Sequence, residues 1–385
     1  MISAMAHLSR RSFLAAASTT TLGSLAASKY AWAAVPAQSR MRVLIGSSAP
    51  DGILAYDWDP AAGTLTPAGV AATVPKVAWL AFSHGHDFVY SASELDNFEG
   101  KPTGEVASFR LSDGKLDPLS ARNSAGVGTC HVAVDQTGQM LVAADYVGGS
   151  AASFRIADGK LSEPVWTEHY TYHGPNDDRQ KSAHAHFASY SPDNRFAYIN
   201  DLGGDCIHIY RIDPATAGMK PAGTYRGAPG SGARTLHFHP NGHTAYCMNE
   251  IVSTVDVLEW HKTDGSFKLT TRIDLLPEGY NGPTRGCDTV ITRDGRFVYF
   301  ANRDDNFLYT FSADAKTGAL TPMVRSNCGG KTPRNFVLDP TERWMLVANQ
   351  DSNLISIFAR DPKTGKLADD GKSVAAEAPM RILFT

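Results

Sequence analysis

Imidazole, guanidinium and carboxylate side chains recur at one position of a repeating pattern in this 385-residue chain. Short apolar segments return roughly every 50 residues, and the second to the sixth of them open with such a group. These groups are His131, the pair His184 and His186, Arg234 with His237, Asp288, and Arg334. If neighbouring segments lie side by side, we expect the groups to converge on one face of the fold.

Converging groups of these types suit the opening of a cyclic ester by water. Histidine titrates near neutrality, so His186 or His131 can act as the general base, a step worth ~10²–10⁴ in rate. Arg234 and Arg334 can bind an anionic group bidentately and stabilise charge that develops in the transition state.

A second set of polar residues ends the next apolar segment of each repeat. Its members are Asp145, Asp201, Asn249 with Glu250, Asn302 with Arg303, and Asn349 with Gln350. Glu250 in this set, like Asp288 in the first, can orient a histidine or hold an arginine in place.

The repeat that must position these residues reads as strand, turn and strand, followed by an alternating strand and a Gly-x-Leu sequence. Its period suits a four-stranded propeller blade of ~40–50 residues. No segment after the amino-terminal region sustains helical periodicity, which excludes a helix-rich fold. The sequence therefore predicts an all-β, seven-bladed β-propeller.

The two ends of the repeat predict how the ring closes. Residues 41–48 resemble a second strand, and residues 380–384 resemble a first strand. Together they would complete one shared blade beside six complete blades, leaving no long unpaired sheet edge. The predicted propeller domain is thus 41–385. A polar insertion at 168–182 should lie on one of its faces.

The amino-terminal residues predict export. Arg10 and Arg11 precede Phe13 and Leu14, a small-residue apolar stretch follows at 15–27, and residues 31–33 read Ala-Trp-Ala. We interpret 1–33 as a twin-arginine signal peptide and 34–40 as a short linker, which implies the twin-arginine export machinery as a partner and a periplasmic location. An uncleaved anchor is less favoured, because a spanning helix needs ~20 strongly apolar residues.

The composition argues against several other classes of protein. A net charge of −3 with 19% charged residues does not indicate a surface that binds nucleic acid. Five cysteines without a C-x-x-C pair argue against a disulfide framework or a cysteine zinc site. No cofactor is predicted.

Several stretches resemble the β-propeller lactonases, which include propeller-type 6-phosphogluconolactonases and the fungal 3-carboxymuconate lactonizing enzymes. These stretches are 130–135, 179–186, 232–234, 239–250 and 330–336. The resemblance covers nearly the whole chain after the signal peptide. It implies a polar site on one face of the channel and a lactone or carboxylate as the substrate.

The resemblance assigns roles by motif. His186, Glu250 and Asp288 are the predicted catalytic residues, and the predicted substrate-binding residues are His131, Arg179, His184, Arg234, Asn249 and Arg334. The chain departs from the family where Ala233 replaces the usual proline, where Thr235 replaces a frequent histidine, and at 285–290.

Other roles for these residues remain open. The histidines can bond backbone carbonyls of a neighbouring blade, and the arginines can form channel-lining ion pairs with Glu250 and Asp288. A metal site built from His131, His184 and His186 with Asp201 or Asp288 is disfavoured, because nearby arginines repel a cation. No metal is predicted.

The sequence therefore predicts an exported hydrolase of a lactone or related cyclic ester. Because the phosphogluconate substrate implied by the resemblance is cytosolic, export favours a different lactone. A lactonizing cycloisomerase and a non-catalytic ligand-binding or protein-binding propeller are the alternatives.

Overall fold

The short alternating strands pair antiparallel with their chain neighbours through tight turns. The computed structural model describes residues 41–112 and 114–385, so the predicted signal peptide and linker lie outside the described residues. The described chain contains 29 strands and one 3₁₀ helix, Gln350–Ser352. The strands form seven sheets, numbered here as blades 1 to 7.

Apart from the last strand of the chain, which joins blade 1, the strands of each blade are consecutive in the sequence. Blade 1 contains β1 (Met41–Ser47), β2 (Ile53–Asp59), β3 (Thr64–Ala72) and the last strand, β29 (Pro379–Phe384). Blade 2 contains β4 (Val77–Phe82), β5 (Phe88–Ser93), β6 (Glu105–Ser112) and β7 (Lys115–Asn123). Blade 3 contains β8 (Thr129–Val134), β9 (Met140–Asp145), β10 (Ser150–Ala157), β11 (Lys160–Leu161) and β12 (Trp166–His169). Blade 4 contains β13 (Ala185–Tyr190), β14 (Phe196–Asp201), β15 (Cys206–Asp213) and β16 (Gly218–Arg226).

The last three blades repeat the same plan. Blade 5 contains β17 (Ala233–Phe238), β18 (Thr244–Asn249), β19 (Thr254–Trp260) and β20 (Phe267–Asp274). Blade 6 contains β21 (Gly286–Ile291), β22 (Phe297–Asn302), β23 (Phe307–Ala313) and β24 (Leu320–Asn327). Blade 7 contains β25 (Pro333–Leu338), β26 (Trp344–Asn349), β27 (Leu354–Arg360) and β28 (Leu367–Ala375).

The innermost strands of the seven blades close a ring. They are β29, β4, β8, β13, β17, β21 and β25, and each contacts the next, with β25 returning to β29. The predicted seven-bladed propeller is confirmed, and these strands surround its central channel.

The ring is closed within blade 1, as predicted. β29 pairs antiparallel with β1, and Leu383 lies opposite Leu44. The last strand of the chain thus supplies the innermost position of the first sheet. Blade 3 differs from the others because its outer strand is divided into β11 and β12, which both pair with β10.

Tyrosine side chains connect neighbouring blades. The hydroxyl of Tyr198 in blade 4 donates to the carbonyl of Gly265 in blade 5 at 3.1 Å, and Tyr299 in blade 6 donates to Gly365 in blade 7 at 2.7 Å. Both glycines have positive φ, and a Cβ on Gly365 would lie 2.4 Å from Phe297. Gly365 begins the Gly-x-Leu sequence of blade 7 and Gly265 begins the corresponding Gly-Ser-Phe of blade 5, so this glycine of the repeat marks a turn that only glycine fits beneath the neighbouring blade.

No helix among the described residues is long and apolar enough to cross a bilayer.

Candidate active site

A β-bulge occurs at the same place in every innermost strand. The ladder with the neighbouring strand shifts register across the second residue of each. These second residues are Ala78, Cys130, His186, Arg234, Cys287, Arg334 and Met380. A bulge leaves one residue outside the ladder and re-aims its side chain. All of these residues except Cys287 line cavities of the channel.

A second position in the repeat, directly after the second strand of a blade, also faces the channel. The first residues after the second strands of blades 2, 3, 5 and 6 are Glu94, Tyr146, Glu250 and Arg303, and all four line the larger cavity. His186 and Arg334 of the bulges and these four strand-end residues therefore line the same cavity.

The larger cavity has a volume of about 290 Å³. Its lining residues are Glu94, Asp96, Gly128, Tyr146, Val147, Arg179, His186, Glu250, Arg303 and Arg334. This volume lies near the lower end of the ~300–1,000 Å³ typical of ligand pockets, so it suits a small molecule.

Glu250 is the centre of a buried charge cluster. Its Oε1 accepts from Arg179 at 2.5 Å, and its Oε2 accepts from Arg234 Nε at 2.8 Å. Burial alone would raise the pKa of Glu250, but Arg303 and Arg234 outweigh it and hold that pKa well below the ordinary value of 4.5. Glu250 is therefore ionised and fixes the arginines around the cavity.

Arg303 offers unsatisfied donors in the cavity wall. Its Nη2 lies 2.6 Å from Glu250 Oε2, yet neither Nε nor Nη2 makes an aligned hydrogen bond to a described residue. Burial lowers the pKa of Arg303 to about 10, so the guanidinium stays charged at neutral pH. A ligand oxygen can satisfy these donors.

His186 lies beside this cluster as a neutral base. It is only 7% exposed, and burial, together with Arg234, lowers the pKa of His186 well below its ordinary value of 6.5. Its Nε2 is 3.9 Å from Glu250 Oε2, and its Nδ1 has no hydrogen-bond partner among the described residues. The imidazole is thus free to take a proton at neutral pH.

Acidic residues share the cavity with the arginines. Arg334 Nη2 lies 3.4 Å from Glu94 Oε1, and Asp96 also contributes to the lining. Three lining residues are arginines and three are carboxylates. The wall therefore combines cationic donors with carboxylate acceptors instead of presenting one sign of charge.

The predicted insertion brings Arg179 to the cavity. Gln180 is buried and donates to Leu202 O at 2.8 Å and Asp205 Oδ1 at 2.7 Å, which anchors this segment on blade 4. Arg179 Nη2 also lies 3.2 Å from the hydroxyl of Tyr146. The insertion thus supplies a residue of the site, in line with the expectation that it lies on a functional face.

The third residues of the innermost strands form a separate layer, named here the deep layer. Its members are Trp79, His131, Phe187, Thr235, Asp288, Asn335 and Arg381. Asp288 Oδ1 lies 3.0 Å from His237 Nε2, and its Oδ2 accepts from Asn335 at 2.8 Å. Asp288 does not line the larger cavity.

His131 also belongs to the deep layer. Its ring lies 4.3 Å from that of Trp79 and 3.9 Å from that of Phe187, and its Nδ1 accepts from the amide of Ala188 at 3.2 Å. It borders a small cavity of about 20 Å³. His186 lines both this cavity and the larger one.

Two further predicted residues lie outside the cavity lining. His184 stacks on Tyr146 at 4.5 Å, and its Nδ1 is 2.8 Å from the carbonyl of that residue. Asn249 is fully buried and donates to Thr254 Oγ1 at 3.0 Å. His184 packs on Tyr146, and Asn249 directly precedes Glu250, so each supports a residue that lines the cavity.

The structure adds residues that the predicted site did not include. Glu94, Asp96, Tyr146 and Arg303 line the cavity beside His186. Three of the four occupy the strand-end position of Glu250 in other blades, and this equivalence was the signal in the sequence that could have identified them.

Comparisons with known proteins show to which family the chain is related. The chain is 30% identical over 298 residues to a 6-phosphogluconolactonase of Bacillus subtilis, which covers 77% of this chain and 83% of the relative. It superposes on a periplasmic gluconolactonase of Pseudomonas aeruginosa with a TM-score of 0.84 and 29% identity, covering 90% of this chain and 99% of that structure. The family described as "Lactonase, 7-bladed beta-propeller" matches residues 42–384. The chain therefore belongs to the seven-bladed β-propeller lactonase family.

Proposed function

We propose that the protein hydrolyses an uncharged sugar lactone in the larger cavity. The observation that carries the proposal is a neutral imidazole, His186, placed beside buried guanidinium donors in a pocket of small-molecule size. The names of the B. subtilis and P. aeruginosa relatives support a sugar lactone as the substrate class.

The balance of charge in the lining favours an uncharged sugar ring over a phosphorylated one. Glu94 and Asp96 stand in the same cavity as Arg334. Carboxylates accept hydrogen bonds from sugar hydroxyls but repel a phosphate dianion. The arginines remain available as donors to the lactone carbonyl and ring oxygens.

The reaction follows from this geometry. His186 takes a proton from water, and the oxygen of that water attacks the lactone carbonyl carbon. Arg303 and Arg334 donate to the developing oxyanion, a type of interaction worth about 2.7–4 kcal/mol per donor elsewhere. The ring C–O bond then breaks, the proton returns from His186 to the leaving oxygen, and the product is the open hydroxy acid.

Replacing the base tests the proposal. We expect His186→Ala to lower kcat for gluconolactone by ~10²–10⁴ with little change in KM. His131→Phe serves as the matched control because it lies in the deep layer, and it should keep kcat within a few-fold. The assay follows acid release at constant pH on purified protein.

Full turnover by His186→Ala would overturn the assignment of the base. Preference for 6-phosphogluconolactone in kcat/KM would overturn the uncharged substrate. Binding of sugar lactones without turnover would favour a ligand-binding propeller.

We also propose that the chain is exported through the twin-arginine route. Arg10 and Arg11 support this, as does the similarity to the periplasmic gluconolactonase of P. aeruginosa. Replacing both arginines by lysine should leave unprocessed protein in the cytoplasm, as judged by fractionation. Normal delivery of the double variant would rule this route out.

A further inference from the structure

Three metal-binding side chains meet at one hairpin of blade 4, away from the lining of the larger cavity. Asp201 is the last residue of β14, Cys206 is the first residue of β15, and these two are paired in the ladder. His208 follows two residues later and projects from the same face as Cys206, because side chains alternate along a strand. The hairpin thus brings a carboxylate, a thiol and an imidazole together.

The three ligand atoms converge on one space. Cys206 Sγ is 3.5 Å from His208 Nε2, and the same Nε2 is 3.4 Å from Asp201 Oδ2. All three atoms lie within 4.8 Å of one another, and the three residues are buried. Two of the three separations match a metal site, because Zn–S of about 2.3 Å with Zn–N and Zn–O of about 2.0–2.1 Å places tetrahedral ligand atoms about 3.3–3.6 Å apart.

Hydrogen bonding alone accounts poorly for this arrangement. A single nitrogen, Nε2 of His208, faces both the thiol and the carboxylate. If Nε2 carries the proton, one N–H must be shared between the carboxylate of Asp201 and the sulfur of Cys206, which is only a weak acceptor. A cation between the three atoms would bind all of them at once.

Neighbouring groups hold the ligands in place. Asp201 Oδ1 accepts from the amides of His184 at 2.8 Å and Gly204 at 3.0 Å, so only Oδ2 is directed toward the cluster. A Cβ on Gly204 would lie 2.6 Å from that Oδ2, so glycine keeps the space open. Support of this kind around ligands is a regular feature of metal sites.

Aromatic rings enclose the imidazole. The ring of His208 stacks on Tyr170 at 3.9 Å and lies 5.5 Å from Tyr172, nearly parallel to both. Both tyrosines belong to the segment that carries Arg179 to the cavity. A metal at His208 would therefore stabilise the packing of this segment on blade 4.

We propose that Asp201, Cys206 and His208 bind one Zn²⁺ ion, with water in the fourth position. The thiol gives up its proton to solvent on binding, since the thiolate is the ligand. Carboxylate, imidazole and thiolate together favour zinc over calcium or magnesium. This site differs from the set that the sequence analysis weighed, because its thiol and imidazole come from Cys206 and His208.

Metal binding is measured directly on the purified protein, independently of turnover. We expect about one equivalent of zinc per chain by elemental analysis after dialysis against Zn²⁺. Co²⁺ in place of zinc should give a thiolate-to-cobalt charge-transfer band and the visible absorption of a tetrahedral site. Cys206→Ser should abolish the charge-transfer band, and His208→Gln should lower the bound metal at least tenfold. Cys328→Ser, which alters another buried cysteine, is the matched control and should leave both signals unchanged.

Three results would overturn the proposal. They are wild-type protein that binds less than a tenth of an equivalent of zinc, bound cobalt without a thiolate band, and a thiolate band that survives in Cys206→Ser but disappears in Cys328→Ser. The first two are read on wild-type protein, so they decide the matter even if a variant fails to fold. None depends on lactone hydrolysis.

Discussion

Two layers of the channel, the cavity layer and the deep layer, contain the same residue types in different surroundings. The cavity layer, formed by His186, Glu250, Arg303 and Arg334, lines the larger cavity of about 290 Å³. In the deep layer, Asp288 is bonded to His237 and Asn335, and His131 borders only the small cavity of about 20 Å³. The comparison shows that the position of a side chain in the blade, more than its type, decides whether it can meet a ligand.

The two buried carboxylates provide the strongest test of this contrast. We expect Glu250→Gln to destabilise the fold by about 3–5 kcal/mol, because it leaves buried arginines without their counter-charge, and to reduce kcat/KM at least a hundredfold. Asp288→Asn should cost about 1–3 kcal/mol from the altered hydrogen bonds and change kcat only a few-fold. Urea unfolding and steady-state kinetics measure the two effects separately. Equal losses of activity in both variants would show that the layers are not functionally distinct, and would support the predicted catalytic role of Asp288.

An arginine from each layer gives a test of intermediate size. Arg334 lines the cavity, whereas Arg381 lies in the deep layer with its guanidinium 4.0 Å from the ring centre of Trp79. We expect Arg334→Ala to reduce kcat/KM by about 10–150-fold, since hydrogen bonds to charged groups contribute about 1.5–3 kcal/mol. Arg381→Met should lower the melting temperature while leaving kcat/KM within a few-fold. An Arg334→Ala enzyme with unchanged kcat/KM would remove this arginine from the substrate site.

Two of the buried histidines, His131 and His186, give the smallest effect, which depends on pH. Burial holds the pKa of both His186 and His131 well below 6.5, so the unfolded chain takes up protons that the folded chain does not. Stability should therefore decline as pH falls below 6.5, by up to about 1.4 kcal/mol per pH unit for each histidine. His131→Phe should remove its share of this slope and leave the pH–rate profile unchanged.

The rate profile separates His186 from His131. Because His186 must be neutral to act as a base, the acid limb of kcat/KM should lie below pH 6.5. An acid limb at or above pH 6.5 would contradict a neutral His186 as the base. Measurements from pH 5 to 7.5 cover this range.

The sequence predicted the architecture well because every blade repeats the same signals. Strand alternation, turn residues and the matching chain ends together predicted seven blades and the shared blade 1, which the structure confirms. Motif positions also placed His186, Arg234, Glu250 and Arg334 in one cluster. These residues occupy repeat positions whose direction is set by the fold.

The alternation of side chains along a strand could not predict which residues belong to the cavity layer and which to the deep layer. In β8 the ladder leaves Cys130 unpaired and resumes at His131, and in β21 it leaves both Cys287 and Asp288 unpaired. A shift of one residue within a strand exchanges one layer for the other. The bulge depends on the paired strand as well as on local sequence, so neighbouring polar residues in the motif looked equivalent.

The seven bulges also bear on how such a scaffold can diversify. A residue outside the ladder contributes little to strand pairing, so replacing it changes the lining of the channel without altering the register of its blade. Each blade offers one such position, and two of the seven, His186 and Arg334, line the larger cavity. Specificity can therefore be altered one blade at a time while the ring is inherited unchanged.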